Sequence, residues 1–318
     1  MNIKLITIIV IASLAMSCQD EDRSAKDNDK HYGDKSGDSI SLNGFFTDTL
    51  SHEGELRQYL TYIPEIYISS KLPAPLLLNF HGGSGSASGQ VYTADFRPIA
   101  DTANFILVYP QGTFGGTWNS SLPTNPQTKM FVDDFGFVDA MIKRINNDYS
   151  YGVDTSRVYA TGFSNGADIS LALACVRSNK IAAVASVSGS LDRHTAQNSN
   201  PSSVAIMSIH GTNDSSRPYE YGLNGYYFSI DELNTYWSGR NNFSAQPQIE
   251  TYNAGNLAIE LIRLGDMIEH YKVVGGGHTW LDISRNGHTT NQKIWNFVSR
   301  FDINGLRTVS YTHLTLPT

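Results

Sequence analysis

Cysteine is nearly missing from this sequence. The 318 residues hold two, Cys18 and Cys175, which cannot form a disulfide framework, so a buried core has to hold the chain. Positive charge is also scarce: 23 Lys and Arg stand against 30 Asp and Glu, for a formal net charge of −7. That balance argues against a nucleic-acid partner, because phosphate binding needs a basic surface. The apolar run from Leu5 to Met16 is too short to cross a bilayer as a helix. Between residues 41 and 305 there is no internal repeat and no low-complexity linker. What remains is ordinary for a globular core, 40% hydrophobic and 17% charged, with 11 prolines and 27 glycines that imply many tight turns. Length alone leaves open one large α/β domain or two small ones.

The two ends read differently from the middle. Lys4, the apolar run and the small residues before Cys18 resemble a bacterial lipoprotein signal over residues 1–18. Cys18 would then be the lipid anchor and the mature N-terminus. A plain secretory signal is the other reading, since Leu14 lies one place further from the cysteine than the usual pattern. Residues 19–40 begin Gln-Asp-Glu-Asp and stay polar, too poor in apolar area to offset the entropy of ordering, and read as a flexible tether. These features predict export, with membrane contact only through the lipid anchor. Residues 309–318 look like a translated sequencing adaptor and are set aside from the fold, with His313 among them.

Between the ends, apolar strands alternate with amphipathic helices, the pattern of a mostly parallel sheet with helices on both faces. Strands are predicted at 59–63, 75–80, 106–109, 157–161, 182–187, 204–209 and 269–274. Helices are predicted at 96–105, 134–146, 165–176, 230–237 and 290–300. Phe137, Val138, Met141, Ile142 and Ile145 fall on one helical face. In such sheets the reactive groups sit in loops at the carboxyl ends of strands.

Four motifs fall at such ends. Gly162-Phe163-Ser164-Asn165-Gly166 matches G-x-S-x-G between a strand and an apolar helix. A serine there stands on a sharp turn with its hydroxyl pushed clear of the sheet, and a Cβ at either glycine would clash in that turn. Ser164 is therefore the candidate nucleophile. A hydroxyl needs a neighbouring base to take its proton, and His278, in Gly275-Gly276-Gly277-His278-Thr279-Trp280, has the strand-end context for it. Asp214, in His210-Gly211-Thr212-Asn213-Asp214, is the candidate acid that orients the base. The order Ser, Asp, His is that of the α/β-hydrolases. Asp192, one strand earlier, is the rival acid, and His210 reads as a structural partner of its loop. His81-Gly82-Gly83-Ser84-Gly85 would supply one oxyanion-hole N–H from Gly83 or Ser84, with Asn165 giving the other. No Gly-Lys-Ser/Thr follows, so a nucleotide-phosphate loop is discarded. His81, His210 and His278 lack the close helical spacing of metal ligands, and no metal site is read.

The segments LLLNFHGGSGSASG, VYPQG with TWN, VDTSRVYATGFSNGADISLALAC, AAVASVSGS, IHGTND with RPY, and GGGHTW occur in this order. Together, from about Leu76 to Phe297, they resemble the polyhydroxybutyrate depolymerase-type esterases, relatives of feruloyl and acetylxylan esterases. The resemblance implies an α/β-hydrolase domain over 41–305, no cofactor, and ester hydrolysis through Ser164, Asp214 and His278. It also implies that Trp118 and Asn119 lie near the substrate. His81, Arg217, Tyr219 and Trp280, in or beside the motif loops, are further candidates for the substrate pocket. Two positions depart from the family pattern: Arg217, where an apolar residue is usual, and Leu281, where proline is frequent. An Arg at 217 could meet a substrate carboxylate such as a uronate, or form a surface ion pair. Tyr219, Tyr221, Tyr226, Tyr227 and Phe228 could stack on a sugar or phenolic ring, or be buried packing. The expected partner is a small or oligomeric ester, carbohydrate-linked in one reading. A peptidase on the same fold and a catalytically dead glycan-binding lipoprotein are the competing functions.

Overall fold

The computed structural model describes residues 44–113, 115–123, 125 and 132–308. The leader with Cys18, the tether and the 309–318 tail lie outside the described residues.

In chain order, β1 (Gly44–His52) and β2 (Glu55–Ile63) form a hairpin, followed by α1 (Glu65–Ser70) and β3 (Ala74–Phe80). The hairpin turns at Glu53 and Gly54, both at positive φ, the geometry that matches the twist of paired strands. Next come α2 (Ala87–Thr93), α3 (Arg97–Ala103), β4 (Ile106–Pro110) and α4 (Asp134–Asp148). Then follow β5 (Val153–Phe163), α5 (Asn165–Val176), β6 (Ala183–Val187), α6 (Arg193–Asn198) and β7 (Ala205–Gly211). The last part is α7 (Ile230–Arg240), β8 (Gln248–Ala254), β9 (Leu257–Leu264), β10 (Ile268–Val274) and α8 (Thr290–Val298).

Among the described residues the main sheet has ten strands, in the order β1-β2-β4-β3-β5-β6-β7-β10-β9-β8. The six from β4 to β10 run parallel to their neighbours. Antiparallel pairs extend both edges, β1–β2 beside β4 and β9–β8 beside β10. β3 shows how the core divides. Leu76, Leu78 and Phe80 join one apolar cluster with α4, α5 and α7. Leu77, between them, joins the other with α2, α3 and α8. A strand buried on both faces reads as a near-continuous apolar run, as this one does apart from the buried Asn79. The expected fold class, a mostly parallel sheet with helices on both faces, is what the structure has.

Several boundaries differ from expectation. The 96–105 helix shortens to Arg97–Ala103, because Asn104 turns left-handed at φ 54° and ends it. The strand expected at 157–161 runs from Val153 to Phe163. The antiparallel strands β8 and β9 and the short α1, α2 and α6 were not anticipated. Among the described residues no helix is long and apolar enough to cross a membrane.

Candidate active site

β5 runs directly into α5 through Ser164, whose φ of 53° and ψ of −120° set it apart from both elements. The two flanking glycines are required by contact. A Cβ on Gly166 would lie 2.2 Å from the Phe80 carbonyl oxygen, and one on Gly162 would lie 2.5 Å from the Gly166 carbonyl. Ser164 N–H is fixed by the Val187 carbonyl at 3.0 Å, tying the turn to the end of β6.

Two loops bring partners to that hydroxyl. His278 follows β10, and its Nε2 lies 2.8 Å from Ser164 Oγ. Asp214 follows β7, and its Oδ2 and Oδ1 lie 2.8 and 3.0 Å from His278 Nδ1. Asp214 Oδ1 also accepts the N–H groups of Ser216 at 2.9 Å and Arg217 at 2.8 Å. Burial works against the Asp214 charge, but the His278 hydrogen bond and the Arg217 N–H outweigh it and hold the carboxyl below its ordinary value. The rival Asp192 is engaged elsewhere. It caps α6 by accepting Thr195 N–H at 2.8 Å and accepts Asn125 Nδ2 at 3.3 Å. His210 is a buried neighbour of Asp214, with Nε2 donating to the Arg217 carbonyl at 2.7 Å and lying 3.4 Å from Asp214 Oδ2. Desolvation lowers its basicity, which keeps the ring neutral.

The chain after Ser164 lies against the glycine-rich loop that follows β3. A Cβ on Gly83 would sit 3.6 Å from Asn165 Cβ, and Ser84 carries φ 60°. Asn165 opens α5, where an N–H has no intrahelical acceptor. Its side chain is committed to the Trp118 peptide, accepting N–H at 2.7 Å and donating to the carbonyl at 3.1 Å. The Trp118 indole in turn donates to the His81 carbonyl at 2.9 Å.

A cavity of about 300 Å³ opens next to Asn165, lined by Trp118, Asn119, Ser120, Asn125, Asp192, Tyr227 and their neighbours. Its floor rests on a buried ion pair that the sequence did not single out. Asp134 accepts Asn119 N–H at 2.7 Å on one oxygen and Arg57 at 2.6 Å on the other.

Of the residues expected to line the pocket, Trp118 and Asn119 do so. Four others are not among the residues that line it. His81 is buried, accepting Gly112 N–H at 3.0 Å on Nε2 and directing Nδ1 at the Gly82 carbonyl, so it braces the loop from below. Tyr219 is buried with its hydroxyl 2.7 Å from His270 Nε2. Trp280 donates to Asn291 at 3.1 Å and packs against the second cluster. Arg217 directs its guanidinium inward, to the buried Asp168, rather than to the surface. The tyrosines divide: Tyr226 and Tyr227 line the cavity, while Tyr221 is exposed outside it. Ser120, Ser121 and Asn125 were missed, since a loop without periodicity gives no local sign of what it faces. As for metals, among the described residues His52, Glu53 and Asp133 bring ligand atoms together, but His52 and Asp133 already bond each other and Asp133 also takes Gly136 N–H.

The fold agrees with that of solved structures. An acetyl xylan esterase from Aspergillus awamori superposes with a TM-score of 0.59, at 18% identity, over 80% of this chain and 99% of that one. The fold is the α/β-hydrolase fold. A family model described as phospholipase/carboxylesterase matches residues 120–242 of this chain. A bifunctional acetylxylan esterase/xylanase from Neocallimastix patriciarum is 29% identical over 243 residues, 76% of this chain and 33% of that protein. Feruloyl esterase C from Emericella nidulans is 30% identical over 172 residues, 52% of this chain and 58% of that protein. The chain thus spans a third to three-fifths of the length of these relatives. The motif-based kinship with feruloyl and acetylxylan esterases is borne out; the narrower polyhydroxybutyrate depolymerase label rests on the motifs alone.

Proposed function

We propose that this α/β-hydrolase is a serine carboxylic ester hydrolase acting through Ser164, His278 and Asp214, on esters with a hydroxyl-rich alcohol such as a carbohydrate. The observation that carries it is the continuous row from Ser164 Oγ through His278 to Asp214, with a polar cavity beside it. His278 Nε2 takes the Ser164 proton as Oγ attacks the ester carbonyl. The negative oxygen that forms is met by Asn165 N–H and an N–H of Gly83 or Ser84. The tetrahedral adduct collapses, the C–O bond to the alcohol breaks, and His278 returns the proton to the leaving oxygen. Water, deprotonated by the same ring, then releases the acid from the acyl-serine. Asp214 accepts the Nδ1–H and stabilises the imidazolium.

The cavity lining supports the substrate class. Asn, Ser, Asp and Tyr side chains offer donors and acceptors suited to hydroxyls, which favours a sugar ester over an oily polyester chain. The names of the relatives point the same way. The leader read at residues 1–18 fits an enzyme that meets such fragments outside the cytoplasm. The test is hydrolysis of p-nitrophenyl acetate, methyl ferulate and an acetylated xylo-oligosaccharide in excess chelator, beside Ser164→Ala. Amides cleaved as fast as esters, strong inhibition by the chelator, or full activity without the serine hydroxyl would each reject the reading.

A further inference from the structure

Asp214 and Ser164 reach His278 from two chain segments that share no secondary-structure element. The imidazole can serve both only if the acid loop and the nucleophile helix keep a fixed separation. One residue spans that gap. Arg217 gives its backbone N–H to Asp214 Oδ1 at 2.8 Å and receives His210 Nε2 on its carbonyl at 2.7 Å. Its side chain turns the other way, to α5. Nε lies 3.3 and 3.2 Å from the two oxygens of Asp168, and Nη2 lies 2.5 Å from Oδ2. Asp168 stands one turn after Ser164, its N–H bonded to the Ser164 carbonyl at 2.9 Å, and its buried carboxylate also accepts Ser190 N–H at 2.9 Å. The guanidinium lies 5.0 Å from the ring centre of Tyr227, a wall of the cavity.

A buried ion pair is weak evidence for stability, because desolvating two charges offsets most of their attraction. Its geometry is another matter. A planar guanidinium held at two carboxylate oxygens fixes distance and angle together, as a lysine cannot. We propose that Arg217 is a positioning residue for the hydrolytic row: its ion pair with Asp168 holds the loop that carries Asp214 in register with the helix that follows Ser164. The proposal rests on the serine-hydrolase reading above. Misplacing reacting groups by about 1 Å costs about 100-fold in rate, and that is the scale expected when the link is cut.

The charges behave accordingly. Burial works against the Arg217 cation, but the Asp168 carboxylate overcomes it and pushes the guanidinium up. Burial pushes the Asp168 carboxyl up, against the pull of Arg217. The titratable groups that face Asp168 are Arg217 and Tyr227 from the loops after β7 and His278 from the loop after β10. Without the guanidinium, Asp168 stays neutral at low pH and becomes an unpaired buried anion as pH rises.

The experiment compares wild type with Arg217→Lys, Arg217→Met, and Arg217→Met combined with Asp168→Asn, using p-nitrophenyl acetate turnover and the rate of Ser164 labelling by a fluorophosphonate. Arg217→Met is expected to lose about 100-fold in kcat with KM within about threefold, and Arg217→Lys about 10-fold. The Arg217→Met loss should deepen as pH rises, and the added Asp168→Asn should remove that alkaline limb. A folded Arg217→Met enzyme within threefold of wild-type kcat, a defect confined to KM, or an alkaline limb unchanged by Asp168→Asn overturns the proposal. Should Arg217→Met not fold, Arg217→Lys decides it, with unchanged kcat and labelling rate counting against. A wild type that labels at Ser164 but cleaves no ester rejects the ester reading alone, and the labelling rates still decide the role of Arg217.

Discussion

Ser164 is held at φ 53°, a conformation that costs a non-glycine residue about 1–3 kcal/mol and persists only where its surroundings enforce it. The enforcement is visible in the Val187 carbonyl on its N–H and the crowded glycines on either side. Ser164→Ala keeps that backbone and removes only the oxygen. The expected result is a fall in kcat of about 10⁴–10⁶-fold with a residual rate above water, since the N–H groups facing the oxyanion remain. Circular dichroism and melting temperature should match wild type. Asp214→Asn tests the next link. An amide in place of the carboxylate can leave the imidazole in the wrong tautomer, and a loss of about 10³–10⁴-fold in kcat with little change in KM is expected. A loss under tenfold would show that His278 is oriented by another group. The pairing of Arg217 with Asp168 was not legible at this scale, because 49 positions separate the partners and neither carries a local pattern naming the other.

At the scale of elements, the junction of β3, β5 and α5 is the least forgiving place in the molecule. A Cβ on Gly166 would stand 2.2 Å from the Phe80 carbonyl oxygen and 2.4 Å from that of His81. Both are backbone atoms of buried residues and cannot swing aside. Gly166→Ala should destabilise by about 3 kcal/mol or more, read as a lower urea midpoint or as insoluble protein. A melting temperature within a degree of wild type would mean that the elbow relaxes more freely than this packing suggests. The same crowding explains why the sequence spoke so clearly here. Turns that only glycine fits leave glycines at fixed offsets, and apolar runs such as Leu76 to Leu78 mark strands buried on both faces. β8 carried no such mark. It is an edge strand whose residues from Gln248 to Asn253 are all at least partly exposed, so its composition resembles a loop. The cavity wall at Ser120, Ser121 and Asn125 was equally silent, since the stretch is placed by the buried Arg57–Asp134 pair and by Asn165 rather than by its own pattern.

Across the whole molecule, acid should loosen the fold through groups buried without charge. His270 is enclosed between Ser208 Oγ at 2.7 Å and Tyr219 OH at 2.7 Å. Burial, helped by its neighbour His210, pushes its pKa down to about 3. Burial likewise lowers His81 and His210. In the unfolded chain each returns to a value near 6.5. Between about pH 6.5 and 3 the unfolded state therefore binds more protons at His270 than the native state, and stability rises with pH across that window. His270 leaves stability undiminished above about pH 6.5, and removes it progressively below. One pKa unit is about 1.4 kcal/mol, so His270 alone should remove on the order of 2 kcal/mol by pH 5. Asp214 acts in the same direction at lower pH, since its depressed carboxyl stabilises the fold above an unfolded value near 3.9 and loses that contribution as pH falls further. Urea unfolding at pH 7.5, 6.5 and 5.0 should show a falling free energy at constant m-value. His270→Gln, which keeps polar contact with Ser208 and Tyr219 but does not titrate, should lower stability at pH 7.5 and flatten the decline toward pH 5. Equal slopes in the two proteins would show that His270 is not the group taking up the proton.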